Sequence, residues 1–232
     1  MSWIVTQYTT ILHPLLLGAW WTTALCVTSS VFAVIIGLFI CLLRMSQNVV
    51  LKYSGKWYID IIRGTPLLLQ LFYLYYALPN VGIVMPAFLA GVLGLSMNFG
   101  GYLAEVFRSG IQSIDIGQQE AGRSLGLNSM KRMRLIVLPQ AFRTIYPTLA
   151  NYALVIIKDS ALVAILGVYE LMHAGQLLAD ATFEAMKVFT VVGAMYLIMS
   201  SVVARLFSLG ERKLTIPGYW EAEATSKAMG KG

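Results

Sequence analysis

The chain alternates between long apolar runs and short polar ones. Residues 15–43 carry no charge at all, and apolar stretches with few charges occupy 57–78, 84–103, 146–166 and 188–209. As a helix rising about 1.5 Å per residue, the first run reaches about 43 Å, more than a hydrocarbon core of roughly 30 Å requires. The pattern predicts an all-α integral membrane protein with about five transmembrane helices, built as one domain over residues 1–218. The small, polar segment 219–232 lacks the apolar residues to hold a fold and is expected to be a disordered tail. Composition excludes a soluble fold: 58% of the residues are hydrophobic and 12% charged, against roughly 45–50% and 25% in soluble globular domains.

Charge then orients the pattern. No Asp, Glu, Lys or Arg precedes Arg44, so the first run lacks the basic flank of a cleavable signal and is expected to remain as an anchor. Residues 44–63 hold Arg44, Lys52, Lys56 and Arg63 against Asp60, which by the positive-inside rule places them in the cytoplasm and the N-terminus outside. Five crossings then leave the C-terminus cytoplasmic, near Arg205, Arg212 and Lys213. Residues 169–187, with Glu170, Asp180 and Glu184 against Lys187, fall outside. Trp20 and Trp21 suit a membrane interface. Cys26 and Cys41 lie within the first run and read as small buried hydrophobes, not as a disulfide framework.

Polar positions inside apolar runs are the candidates for chemistry, since such groups are costly against lipid. In the second stretch, 66–78 is too short to cross alone. A helix beginning near Trp57 and bending at 64–66, where Thr65 and Pro66 read as a cap and first-turn proline, is expected, with Asp60 and Arg63 able to pair three residues apart. In the third, Asn98, Tyr102 and Glu105 fall at i, i+4 and i+7 on one face. Either that whole face lines a polar path, or Glu105 marks the helix end and pairs with Arg108. In the fourth, Lys158-Asp159-Ser160 sits deep in the bilayer if the span covers 146–166, and at its outer flank if the span covers 135–157. The first is preferred, because the second buries Arg143 and runs a helix through two prolines. His13 and His173 have no Cys, Asp or Glu at metal-ligand spacing, so ordinary hydrogen bonds are expected of both.

Between the third and fourth stretches lies a polar, basic loop. Asp115 and Asn128 can cap helix starts and Gly126 can end a helix, so the loop reads as helix, turn, helix. Gly122 and Gly126, four apart, would share a helical face open to close approach by another backbone.

The loop's spacing carries a resemblance. Glu120-Ala121-Gly122, then Gly126 after three residues, Ile136 after nine more, and Leu138-Pro139, resembles the EAA loop of permease subunits of bacterial ATP-binding-cassette (ABC) importers. Gly122 stands where that family usually has Ala. Arg63-Gly64-Thr65-Pro66, the run from Asn98 to Glu105 with Gly101 in place of a common Ala, and the run from Ile157 to Leu162 resemble segments of the polar amino acid uptake branch. The likeness extends over about 18–213. It implies a type I ABC importer permease fold in the bacterial inner membrane, with a cytoplasmic coupling loop at about 105–135. It also implies a dimer with a like or sister permease, two ABC ATPase subunits and an external amino-acid-binding protein. The coupling residues it implies are Glu120, Ala121, Gly122, Arg123, Ser124, Leu125 and Gly126, through which ATPase closure would move the spans. Asn98, Tyr102, Glu105, Lys158, Asp159 and Ser160 would meet an arginine-, histidine- or glutamine-like substrate, with Glu105 or Asp159 on its ammonium and Lys158 with Ser160 on its carboxylate.

Other classes are constrained by what the sequence lacks. No Gly-x-x-x-x-Gly-Lys-Ser/Thr occurs, so ATP and magnesium are expected on the partner ATPase and no cofactor on this chain. No inverted repeat is evident, so a pathway needs a second chain. A membrane enzyme would need a nucleophile with its base or a metal cluster, and no His-Glu-x-x-His or comparable set is present. Neither catalytic residues nor a metal site is expected, and membrane lipid, not nucleic acid, is the expected surroundings. The alternative is an ATP-independent channel or scaffold subunit, in which the 120–126 helix would be dispensable.

Overall fold

The computed structural model describes residues 11–214, and the tail expected at 219–232 lies outside them. Helix α1 (His13–Met45) is the first apolar run, and α2 (Val49–Gly64) starts where Asn48 Oδ1 accepts from the backbone N–H of Val50, 2.9 Å away. α3 (Leu67–Phe72) continues as a π-helical turn (Tyr73–Ala77) and a 3-10 turn (Leu78–Val81). α4 (Ala87–Gln112) leads into the polar loop, which holds α5 (Ile116–Ser124) and α6 (Ser129–Arg132). A π-helical segment (Met133–Val137) then enters α7 (Leu138–Asp159), followed by a 3-10 stretch (Ser160–Leu166), α8 (Leu171–Thr182) and α9 (Ala185–Leu214). Four of these segments are long and apolar enough to cross a membrane, and a fifth is the α2–α3 pair, bent by 104°. The protein is thus an all-α membrane protein of about five spans, as the apolar pattern predicts.

α4 is the axis of the bundle, and its small residues explain why. Without strong hydrophobic gain between helices in lipid, close approach by small side chains carries much of the packing. A Cβ at Gly100 would stand 2.6 Å from Ile36 Cγ2 on α1, and one at Gly101 2.9 Å from Ile62 Cγ2 on α2. Both neighbours occupy the volume that a larger residue would take. Leu25, Leu71, Leu95, Phe99, Leu103 and Val163 close the main core around this axis. A second cluster seats α8 between α1 and α9, with Leu15, Leu171, Ala174 and Val192 at its centre.

Beneath α8 the buried Glu170 carboxylate is fully occupied. It accepts from the backbone N–H groups of Met172 (2.9 Å) and His173 (2.6 Å), from Tyr196 (2.8 Å) and from Thr22 (3.4 Å). It therefore caps α8 while tying α1 to α9. Burial pushes its carboxyl above the ordinary range, and the donated hydrogen bonds oppose that shift. His173 departs from expectation: its buried Nδ1 has no hydrogen-bond partner among the described residues.

Two other expectations change. The second span begins at Val49, eight residues before Trp57, because Asn48 supplies a cap there. The fourth apolar run lies in one helical stretch, Ser129–Leu166, α-helical from Leu138 through Pro147 to Asp159, and both 146–166 and 135–157 fall within it. Pro139 follows closely on the π-helical segment Met133–Val137, and the Arg143 side chain is exposed at the bundle surface. Finally, Gly122 and Gly126 share no helical face. α5 stops at Ser124, and Gly126 adopts φ +73°, with its N–H on Arg123 O (2.9 Å) and Leu127 N–H on Gly122 O (3.1 Å), a left-handed helix end. The bare side of Gly122 is covered from within the chain by Ile136 and Arg132.

Candidate functional site

The bend at 64–66 opens a cavity beside the polar positions. Its volume is about 530 Å³, within the usual range for a small-molecule site. The wall is built by the break (Arg63, Thr65), by α4 (Asn98, Phe99, Tyr102) and by α7 (Tyr152, Asp159). Tyr102 and Tyr152 face one another at 5.8 Å between ring centroids, and Phe99 sets its edge against Tyr152 at 6.2 Å. The Arg63 guanidinium lies 5.0 Å above the Tyr102 ring. That contact replaces the expected Asp60–Arg63 pair, which is not formed. Because Thr65 and Pro66 leave the helical region at ψ 143° and 138°, Arg63 ends its helix at the cavity rim instead of continuing past it.

The six sequence-predicted substrate residues are divided by the fold. Asn98, Tyr102 and Asp159 come together in this cavity. Glu105 lies below it, paired with Arg108 on α4 and with Arg44 on α1 at 3.7 Å, so its charge is matched where α1 meets the loop-bearing end of α4. Lys158 turns the other way, into a separate apolar groove with Met172, Phe189, Val192, Gly193 and Tyr196. Ser160 is fully buried and donates to Ile157 O at 2.8 Å. Adjacent residues on a helix point about 100° apart, which is why Lys158 and Asp159 cannot share one site. Arg63, Thr65, Phe99 and Tyr152 complete the cavity, and none was among the predicted set. Aromatic residues in an apolar run look like core until the bend exposes them.

The cavity offers one guanidinium, one carboxylate, hydroxyls and an amide, set among aromatic rings. Such a lining can receive a small ligand that carries both a positive and a negative group. Among the described residues no cluster of His, Cys, Asp or Glu could hold a metal ion.

The polar loop forms a knob at the end of the bundle where α4 finishes and α7 begins. Asp115 Oδ1 accepts from Gly117 N–H at 2.6 Å and Asn128 Oδ1 from Lys131 N–H at 2.9 Å, so both caps form at the expected residues. Glu120, Ala121, Arg123, Ser124 and Leu125 all lie exposed on α5 and its end. Ile116, Leu125 and Met130, each more than 70% exposed, put apolar side chains on an otherwise polar surface.

Residues 11–216 match the family model described as binding-protein-dependent transport system inner membrane component. The chain is 36% identical to a probable amino-acid ABC transporter permease protein, y4tG, of Sinorhizobium fredii, over 84% of this chain and 85% of the relative. It is 38% identical to a probable amino-acid ABC transporter permease protein, YckA, of Bacillus subtilis, over 84% and 87%. A putative glutamine transport system permease protein, GlnP, of Rickettsia bellii is 34% identical over 82% and 88%. Among solved structures, a chain of an amino acid ABC transporter crystallised with histidines superimposes with a TM-score of 0.84 at 37% identity, over 90% of this chain and 96% of that one. An inward-facing methionine ABC transporter, MetNI, shares the fold, with a TM-score of 0.75 at 21% identity over 88% and 97%.

Proposed function

The chain belongs to the family of binding-protein-dependent transport system inner membrane components, and from that membership we propose how its two distinctive regions divide the work of amino acid uptake. It is a multi-pass amino-acid ABC transporter permease, the translocation component. In our reading the cavity at the α2–α3 break receives a polar amino acid of the arginine, histidine or glutamine kind. Asp159 and Asn98 face its ammonium, Arg63 its carboxylate, and Tyr102 with Tyr152 pack on its carbon skeleton. The observation that carries this is the meeting of Arg63 and Asp159 in one aromatic-lined cavity. Lys158 and Ser160 keep a part in shaping the path from its far side, and Glu105 a part in holding α4 to α1.

The knob at 116–134 is the element through which a partner ATPase drives the spans. Its support is the exposure of Ile116, Leu125 and Met130, apolar groups that a partner surface would cover. Arg44, Lys131, Arg132 and Arg134 mark that end as cytoplasmic by the positive-inside rule. A second permease chain, two ATPase subunits and an external amino-acid-binding protein complete the importer. The inner membrane is its location, with ATP and magnesium on the ATPase.

Copurification tests this directly. The tagged chain should bring down an ABC ATPase in equal copy number, and Leu125→Glu should lower that yield at least about tenfold while leaving the permease monodisperse. A stable assembly without an ATPase, still competent in uptake, overturns the coupling role.

A further inference from the structure

One face of the cavity has a fixed polarity, and the structure assigns Gln70, which is outside the lining, as the positioning residue that sets it. The chain of cause begins at Pro66. In a continuous helix the carbonyl of Ile62 would accept from the N–H four residues on, but residue 66 is proline and has none. Gln70 reaches back across the break to fill that place. Its Nε2 lies 2.8 Å from Ile62 O, 3.1 Å from Thr65 O and 2.8 Å from Thr65 Oγ1. Backbone carbonyls only accept, so the atom facing them must be the amide nitrogen.

That settles the next amide. Gln70 Oε1 points away from the break toward α4, where it can only accept, and Asn98 must present its own nitrogen, Nδ2, at 3.1 Å. Asn98 Oδ1 is then left with no hydrogen bond among the described residues, on a side chain that lines the cavity. The wall there is an acceptor and is held so, because turning the Asn98 amide over would set its oxygen against the Gln70 oxygen. With Asp159 lining the same cavity, two acceptors are available to a protonated amine, and Arg63 remains the cation for a carboxylate. The site therefore reads the α-ammonium of its substrate, through a polarity dictated by a proline and relayed by Gln70.

This rests on the amino acid reading above, and equilibrium binding of labelled L-glutamine to the purified permease–ATPase complex separates the two. Asn98→Leu should weaken L-glutamine about tenfold or more and weaken its α-hydroxy analogue less, since the ammonium needs an acceptor there and the hydroxyl does not. Gln70→Leu should weaken L-glutamine more than its α-hydroxy analogue in competition, since a freed Asn98 amide can turn its nitrogen to the analogue. Should Gln70→Leu fail to assemble, Gln70→Met, which also removes the amide, takes its place. The inference is overturned if Asn98→Leu or Gln70→Leu weakens both ligands equally. Binding of both ligands with equal affinity by the unsubstituted complex also overturns it, and absence there of binding to labelled L-glutamine, L-arginine and L-histidine alike removes the amino acid reading together with it.

Discussion

Pro66 and Pro147 both interrupt apolar spans, yet one breaks its span by 104° and the other leaves its helix intact. Each proline removes the donor that would have served the carbonyl four residues before it, Ile62 in one case and Arg143 in the other. The outcomes differ in what the surroundings provide. At 66 the preceding residues are Gly64 and Thr65, Thr65 Oγ1 donates to Ile61 O at 2.9 Å, and the Gln70 amide covers Ile62 O. The departing half is then pinned to α4, with Leu71 filling the space beside Gly94. At 147 the neighbouring residues stay helical, Ile145 packs against Gly110, and Arg143 is exposed. A proline permits a bend, and replacement partners for the freed carbonyls decide whether the bend is taken.

Three substitutions bear on that contrast. The largest effect is expected from Gly94→Ile, which forces Leu71 away and detaches the outer half of the broken span. A loss of about 1–3 kcal/mol from overpacking should appear as a lower Tm of the detergent-purified protein, with loss of uptake. Unchanged Tm would show that the α3–α4 contact does not hold the bend. Thr65→Val is intermediate: it removes the hydroxyl shared by Ile61 O and Gln70, and about 1 kcal/mol of stability should go with it. Spin labels on α2 and α3 should report a broader distance distribution across the break, and an unaltered distribution counts against the role of these replacement bonds. Pro147→Ala should do least. By restoring one N–H it should leave uptake intact and stabilise the protein by at most about 1 kcal/mol, and a loss of transport there would mean that Pro147 is itself a hinge.

Much of this was legible along the chain. Spans show in one dimension because lipid demands a run of about 20 apolar residues. The loop's helix ends were equally legible, since capping is a local matter among Asp115, Gly126, Asn128 and their near neighbours. The cavity was legible only in part. Asn98, Tyr102 and Asp159 stood out as polar residues in apolar surroundings. Arg63 was read only as a partner for Asp60, and nothing in the pattern singled out Gln70 or Tyr152. Glu105 and Lys158 stood out just as clearly and lie elsewhere, because a polar residue in a span announces a need for a partner and does not say which.

The sequence by itself determined that the protein crosses a membrane about five times, that its polar loop is a capped helical knob, and that it belongs with permeases. Each of these rests on short-range periodicity, capping or spacing. Only the tertiary structure decided which charges are matched, Glu105 to Arg44 across two spans, and which remain to face the cavity. It also decided the direction of the Asn98 amide, which depends on Gln70, 28 positions away, and through it on a carbonyl that Pro66 set free. Hydrogen-bond polarity passes through space from one group to the next, so no local pattern in the chain records it.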